Sequence, residues 1–207
     1  MLEVLSVSAA LTEEANALLR RLNLETLCEA GENINIEGSL RYRLLVPEHR
    51  DIDLWMQVAD LRHALVSKAQ LLMNKMAHDS RCNMLLVHNF FDDYPFDASK
   101  VMQVNRRGVF LNMTVFASPY KRSWDVGLWL LTQPSTDPFP ELMALSDADR
   151  TILLNLKRYV YASYESFYPR SAAIYRGFLA GARDPSAIRA FLNNLGIDLR
   201  PRERIIS

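Results

Sequence analysis

Gly38-Ser39-Leu40-Arg41-Tyr42-Arg43-Leu44-Leu45-Val46-Pro47-Glu48-His49-Arg50-Asp51-Ile52-Asp53-Leu54-Trp55-Met56 is the stretch on which the reading of this chain turns. Its second half alternates acid and apolar residues, the period of a strand with one buried face, so Asp51 and Asp53 leave the same side of the sheet. Two carboxylates about 4 Å apart repel by roughly 4 kcal/mol at an effective dielectric near 20. Such a pair is kept more readily where a hard divalent cation, Mg²⁺ or Mn²⁺, neutralises it. Upstream, Gly38-Ser39 supplies a tight turn at the start of a helix, where backbone N–H groups favour a phosphate. Arg41, Arg43 and Arg50 can steer a triphosphate toward that turn, or form ion pairs with Glu37 and Glu48.

Outward from this stretch, the periodicity predicts a mixed N-terminal part. An amphipathic helix spans 11–30, capped by Thr12 and stopped by Gly31, and a short strand covers 33–36. A brief helix over 40–46 ends at Pro47, a strand runs from 51 to 58 and a helix from 60 to 78. A strand at 84–88 precedes an acidic surface loop over 89–100. Strands at 109–116 and 124–131, joined by the turn-like 118–122, form an antiparallel hairpin. Beyond 133 only helical periodicity is left: a short helix near 139–144, then helices at 147–167, 170–182 and 185–195. Ser146 caps the second of these, Pro169 separates the second from the third, and Asp184-Pro185 opens the last. The expected architecture is α+β, a mixed sheet flanked by helices over residues 1–133 with a C-terminal helical region, 134–207, packed on it.

Composition narrows the function classes. The 207 residues carry 24 Lys plus Arg against 24 Asp plus Glu, which disfavours a nonspecific nucleic-acid binder. A hydrophobic fraction of 49% supports a buried core and excludes wholesale disorder. Cys28 and Cys82 make neither a disulfide framework nor a metal motif, and His49, His63, His78 and His88 share no ligand spacing. The start, MLEVLSVSAALTEEANALL, lacks a basic n-region, and no apolar run approaches the roughly 18 residues of a membrane span. A cytoplasmic protein is expected.

The Gly-Ser turn, the interval of about ten residues and the Asp-x-Asp strand resemble the nucleotidyltransferase superfamily, with its DNA polymerase beta-like fold. The resemblance implies a metal-dependent transferase. Asp51 and Asp53 would hold Mg²⁺ or Mn²⁺, and Gly38 and Ser39, with Arg41 and Arg43 near them, would bind the phosphates of a nucleoside triphosphate such as ATP. A nucleoside monophosphate would pass to a hydroxyl of a small molecule or a protein by in-line displacement. The family adds a third carboxylate from a later strand, the base for the acceptor hydroxyl. In the segment Trp124-Asp125-Val126-Gly127-Leu128-Trp129 its place matches Gly127. Asp125, two residues earlier, lies on the same face about 7 Å along the strand and is the candidate substitute. The alternative is a nucleotidyltransferase-fold binding or regulatory protein with a weakened site. Arg158, Tyr161, Arg170, Tyr175 and Arg176 are expected to line part of an acceptor pocket. Tyr42 is expected to pack the core, and Trp55, Trp124 and Trp129 to pack the sheet.

Overall fold

In the computed structural model, residues 2–78, 82–90, 108–115, 123–165 and 170–202 are described. Five strands form one mixed sheet: β1 (Ile34–Glu37), β2 (Asp51–Gln57), β3 (Cys82–Phe90), β4 (Gly108–Val115) and β5 (Trp124–Leu131), in the order β1-β2-β5-β4-β3. Only β2 and β5 run parallel; the other neighbours are antiparallel, including the β4–β5 pair expected as a hairpin. The parallel pair lies at the centre, and its register sets Asp51 beside Asp125 and Asp53 beside Gly127.

Alternation decides which face is buried. Ile52, Leu54 and Met56 of β2, Val126, Leu128 and Leu130 of β5, and Leu111, Met113 and Val115 of β4 all point to one core. Two helices cover it: α1 (Leu2–Leu22), through Leu11, Ala15, Leu18 and Leu22, and α3 (Leu61–His78), through Ala64 and Leu72. The opposite face carries Asp51, Asp53, Asp125 and Gly127. The sheet thus has an apolar side and an acidic side, as the sequence alternation demands.

A second core lies among α4 (Asp147–Ser163), α5 (Arg170–Leu179) and α6 (Pro185–Asn194). Val4 from the start of α1 enters it, as do Tyr42, Leu44 and Val46 from the segment before β2, whereas Leu40 and Leu45 join the first core. The segment upstream of the acid pair therefore runs along the seam between the two cores. Capping follows the sequence: Ser146 Oγ accepts from the N–H of Asp149 at 3.1 Å, and Asp184 Oδ1 accepts from Ser186 and Ala187, both at 2.9 Å.

Several elements differ from expectation. The first helix starts at Leu2 and ends at Leu22, where Asn23 is left-handed at φ 46°, and a 3-10 turn (Leu24–Leu27) follows. Thr12 is an interior residue whose hydroxyl bonds Ser8 O at 2.9 Å rather than a cap. The helix expected over 40–46 is one turn, α2 (Gly38–Arg41). Arg43 stops it at φ 57°, with Leu44 N–H bonding Ser39 O at 2.8 Å and Arg43 N–H bonding Leu40 O at 3.1 Å. These two bonds are the 6→1 and 5→2 pair of a Schellman end, with Arg43 in the position usually held by glycine. Strand β3 extends to Phe90, so the acidic loop cannot begin at 89; its acids Asp92, Asp93 and Asp97, the turn at 118–122 and Pro169 lie outside the described residues.

The left-handed Arg43 is strained by its Cβ, so Arg43→Gly is expected to raise unfolding stability by about 1 kcal/mol in urea melts. An unchanged or lowered midpoint would contradict that assignment of strain.

Candidate active site

The site is assembled where the C-terminal end of β1 meets the start of β2. Glu37 leads into Gly38 at φ +62°, a conformation that favours glycine. A Cβ on Gly38 would lie 2.3 Å from Asp53 Oδ2, so the turn and the second aspartate are in direct contact. The glycine is required by both backbone and space. Across the sheet, Asp125 accepts from Thr114 Oγ1 at 2.9 Å, which fixes one of its oxygens beside Asp51.

Residue 157 is the part that sequence reading missed. Lys157 is fully buried on the inner face of α4, and its Nζ donates to Ser39 Oγ at 2.6 Å, Leu44 O at 2.8 Å and Tyr175 OH at 3.0 Å. Ser39 and Tyr175 hydroxyls are also 3.0 Å apart. The signal was present in the sequence: Leu153, Leu154, Leu156, Val160 and Tyr161 define a buried stripe, and Lys157 interrupts it. A lysine on such a stripe needs a buried partner or an anionic ligand.

The charges at this point are out of balance. Burial, and then the adjacent Asp53 and Asp125, push the Asp51 carboxyl well above the usual carboxylate range, while Lys157 pulls it back. Burial draws the Lys157 ammonium down to about 7, against the opposing pull of Asp51 and Asp53. Burial likewise raises the Tyr175 phenol far above its ordinary value. Beside the pair, His49 stacks on Tyr161 with centroids 4.2 Å apart, and its Nε2 lies 3.9 Å from Asp51 Oδ2.

The arginines are spread more widely. Arg41 pairs with Asp137 at 3.0 Å, and the Tyr42 hydroxyl and the Phe139 N–H donate to the same carboxylate. With Ser135 Oγ donating to Glu37 at 2.8 Å, these bonds strap the segment after β5 onto the Gly-Ser end of the sheet. Arg43 is exposed at its helix end. Arg50 pairs with Glu14 at 3.0 Å and Arg158 with Glu48 at 3.4 Å. Tyr42 is a core residue, as expected, and so is Trp124.

Gly127 has a definite neighbour. A Cβ there would sit 2.5 Å from two carbons of the Phe110 ring, which leans over the glycine from β4 and packs on Trp129 with centroids 4.7 Å apart. The space that a side chain at 127 would need is taken by an aromatic ring.

The carboxylates of Asp51 and Asp53 are oxygen donors of the kind a hard divalent cation takes. Among the described residues no group of three or more His, Cys, Asp or Glu side chains forms a closed cage. Magnesium, however, is commonly held by one or two carboxylates together with substrate phosphates and water. Burial, and then the repulsion of its acidic neighbours, raises Asp51, and a bound cation would offset both, so Asp51 and Asp53 fit such an ion.

No protein-family model matches the chain, and no curated protein matches it. Among solved structures, a chain of the GLD-2/RNP-8 complex matches at 11% identity and a TM-score of 0.52, over 99% of this chain and 76% of that one. The fold is the nucleotidyltransferase-like mixed sheet flanked by helices that the sequence resemblance implies. The likeness extends through the helical region as well as the sheet. Among the described residues, no helix is long and apolar enough to cross a membrane.

Two outcomes follow from this geometry. Gly38→Ala is expected to lose at least about 1 kcal/mol of stability, because it adds a left-handed strain to a clash with Asp53; a neutral result in chemical denaturation contradicts the contact. Lys157 has a depressed native value, so between pH ~7 and its unfolded value of ~10.4 the unfolded chain binds more protons and stability rises with pH. Below pH ~7 both states are protonated and the full penalty is present. Urea melts of wild type and Lys157→Met should therefore show the difference moving in favour of wild type from pH 7 to pH 10. A pH-independent difference would contradict the buried, depressed lysine.

Proposed function

We propose that the protein binds a nucleoside triphosphate with Mg²⁺ or Mn²⁺ and transfers its nucleoside monophosphate to an acceptor hydroxyl. The observation that carries this reading is the juxtaposition at one turn of a buried cation and an acid pair: Lys157 Nζ on Ser39, and Asp53 against Gly38. The single-turn α2 has too little helix behind it for a large dipole, so Lys157 is the main positive charge offered to the phosphates. Ser39 and Tyr175 add hydroxyl donors beside it.

In this reading, Asp51 and Asp53 would hold the cation, and a bound cation would supply screening of the phosphate charge. The acceptor oxygen attacks the α-phosphorus, and a new P–O bond forms in line with the one that breaks. The bridging oxygen leaves with its electron pair as pyrophosphate, and Asp125, held by Thr114, takes the hydroxyl proton. The even charge balance favours a small-molecule or protein acceptor over a polymer of nucleotides. A cytoplasmic location goes with that reading.

A second reading is a nucleotide-binding regulator without turnover. The Phe110 ring on Gly127 favours it, because that ring occupies the place of a carboxylate base.

Isothermal titration with each nucleoside triphosphate and Mg²⁺ tests both. Saturable, metal-dependent heat is expected in wild type and at least about tenfold weaker binding in Asp53→Asn; no heat from a folded sample contradicts both readings. Release of labelled pyrophosphate then separates them: the transferase loses at least about 100-fold in rate in Asp125→Asn, whereas the regulator releases none in either protein. Gly127→Asp alone is expected to give no gain in rate, because its side chain meets Phe110. A gain from that single change would contradict the packing.

A further inference from the structure

Asp51 and Asp125, paired across β2 and β5, each follow a residue whose side chain turns to the opposite, helix-covered side of the sheet. Arg50 precedes Asp51, and Trp124 precedes Asp125. Both reach one oxygen on α1: Glu14 Oε1 accepts from Arg50 Nη1 at 3.0 Å and from Trp124 Nε1 at 2.9 Å. The Arg50 guanidinium also lies 5.5 Å from the centre of the Trp124 ring, and the Arg50 carbonyl accepts the Asp125 N–H at 3.0 Å.

The place of this bridge gives it weight, because Asp51 stands at the start of its strand. Among the described residues the ladder from β1 reaches only to Asp53, so Asp51 is paired in the sheet with β5 alone. A strand end with one neighbour opens locally unless the chain just before it is tied down. A partly exposed ion pair adds little by itself. Here the same carboxylate oxygen also satisfies the indole N–H of Trp124, a side chain with no exposure to water. Loss of Glu14 leaves that donor buried without this acceptor and releases Arg50, at the point where the two strands begin.

We propose that Glu14 is a positioning residue of the candidate site: through Arg50 and Trp124 it fixes the starts of β2 and β5, and so places Asp51 for a divalent cation. It touches no reacting atom and acts from the far side of the sheet. A glutamine can make the same two bonds, since one amide oxygen accepts both donors; an alanine makes neither. The consequence for the cation rests on the proposed function, whereas the bridge itself does not.

Amide hydrogen exchange of the full chain, read by NMR without metal or nucleotide, reports the bridge. Glu14→Ala should speed exchange of the Asp125 N–H at least about tenfold and leave the Leu128 N–H, deeper in β5, within about twofold. Glu14→Gln should return Asp125 to within about threefold of wild type. Arg50→Met cuts the bridge from its other end and should reproduce the alanine result, which it replaces if the alanine variant does not fold. Calorimetric titration with ATP and Mn²⁺ reports the cation. Glu14→Ala should weaken binding at least about fivefold in the wild-type background and less than about twofold in Asp51→Asn, and Glu14→Gln should restore it. A merely structural role lowers affinity equally in both backgrounds. Unchanged exchange at Asp125, an equal acceleration at Leu128, or an equal loss of affinity with and without the Asp51 carboxylate would overturn the proposal. Absence of metal-dependent heat in wild type would overturn the nucleotide reading, and exchange at Asp125 would then decide the bridge by itself.

Discussion

One buried lysine holds the arrangement together. Lys157 reaches from the helical layer to the Gly-Ser turn of the sheet layer, and three of its hydrogen bonds end on groups from three places: Ser39, Leu44 and Tyr175. Taking an ammonium out of water is costly, and neutral acceptors repay it only in part. That imbalance draws its titration down to about 7. A group so poised gains most from a ligand of opposite charge. The same bonds orient α4 and α5 on the end of the sheet, so the packing of the second core and the electrostatics of the candidate site depend on one side chain.

The sheet supplies the opposing half. Because β2 and β5 are parallel and central, their registered positions bring acids from distant parts of the chain together on the face that the helices leave open. Asp51 bears the resulting repulsion. An excess of negative charge on the sheet and a starved cation on the helices face the same turn. In the proposed function, a triphosphate with a divalent ion would supply the charge complementary to each.

Much of this was legible in the sequence. The alternation around Asp51 and Asp53, the Gly-Ser turn and the caps at Ser146 and Asp184 are local signals, and local signals fix strands, turns and helix ends. The pairing of Asp125 with Asp51 was accessible only as a shared face, because register between strands separated by a long stretch of sequence is set by the whole sheet. Arg43 shows the opposite case: an arginine in a left-handed position carries no sequence mark, so a one-turn helix was read as two. Lys157 was visible as a charge on an apolar stripe, but its partner on a different layer was not. The Phe110 ring over Gly127 could not be read at all, since a missing side chain says nothing about what fills its place.

In the proposed function, a bound triphosphate would face Lys157 across Ser39. Lysine selectively labelled with ¹³C at Cε, titrated by NMR in the presence of Mg²⁺ with and without a non-hydrolysable nucleoside triphosphate, tests it directly. The structure predicts that the Lys157 signal, titrating near 7 in the free protein, moves well upward once the triphosphate is bound. A Lys157 titration unchanged by a saturating nucleotide would contradict the account.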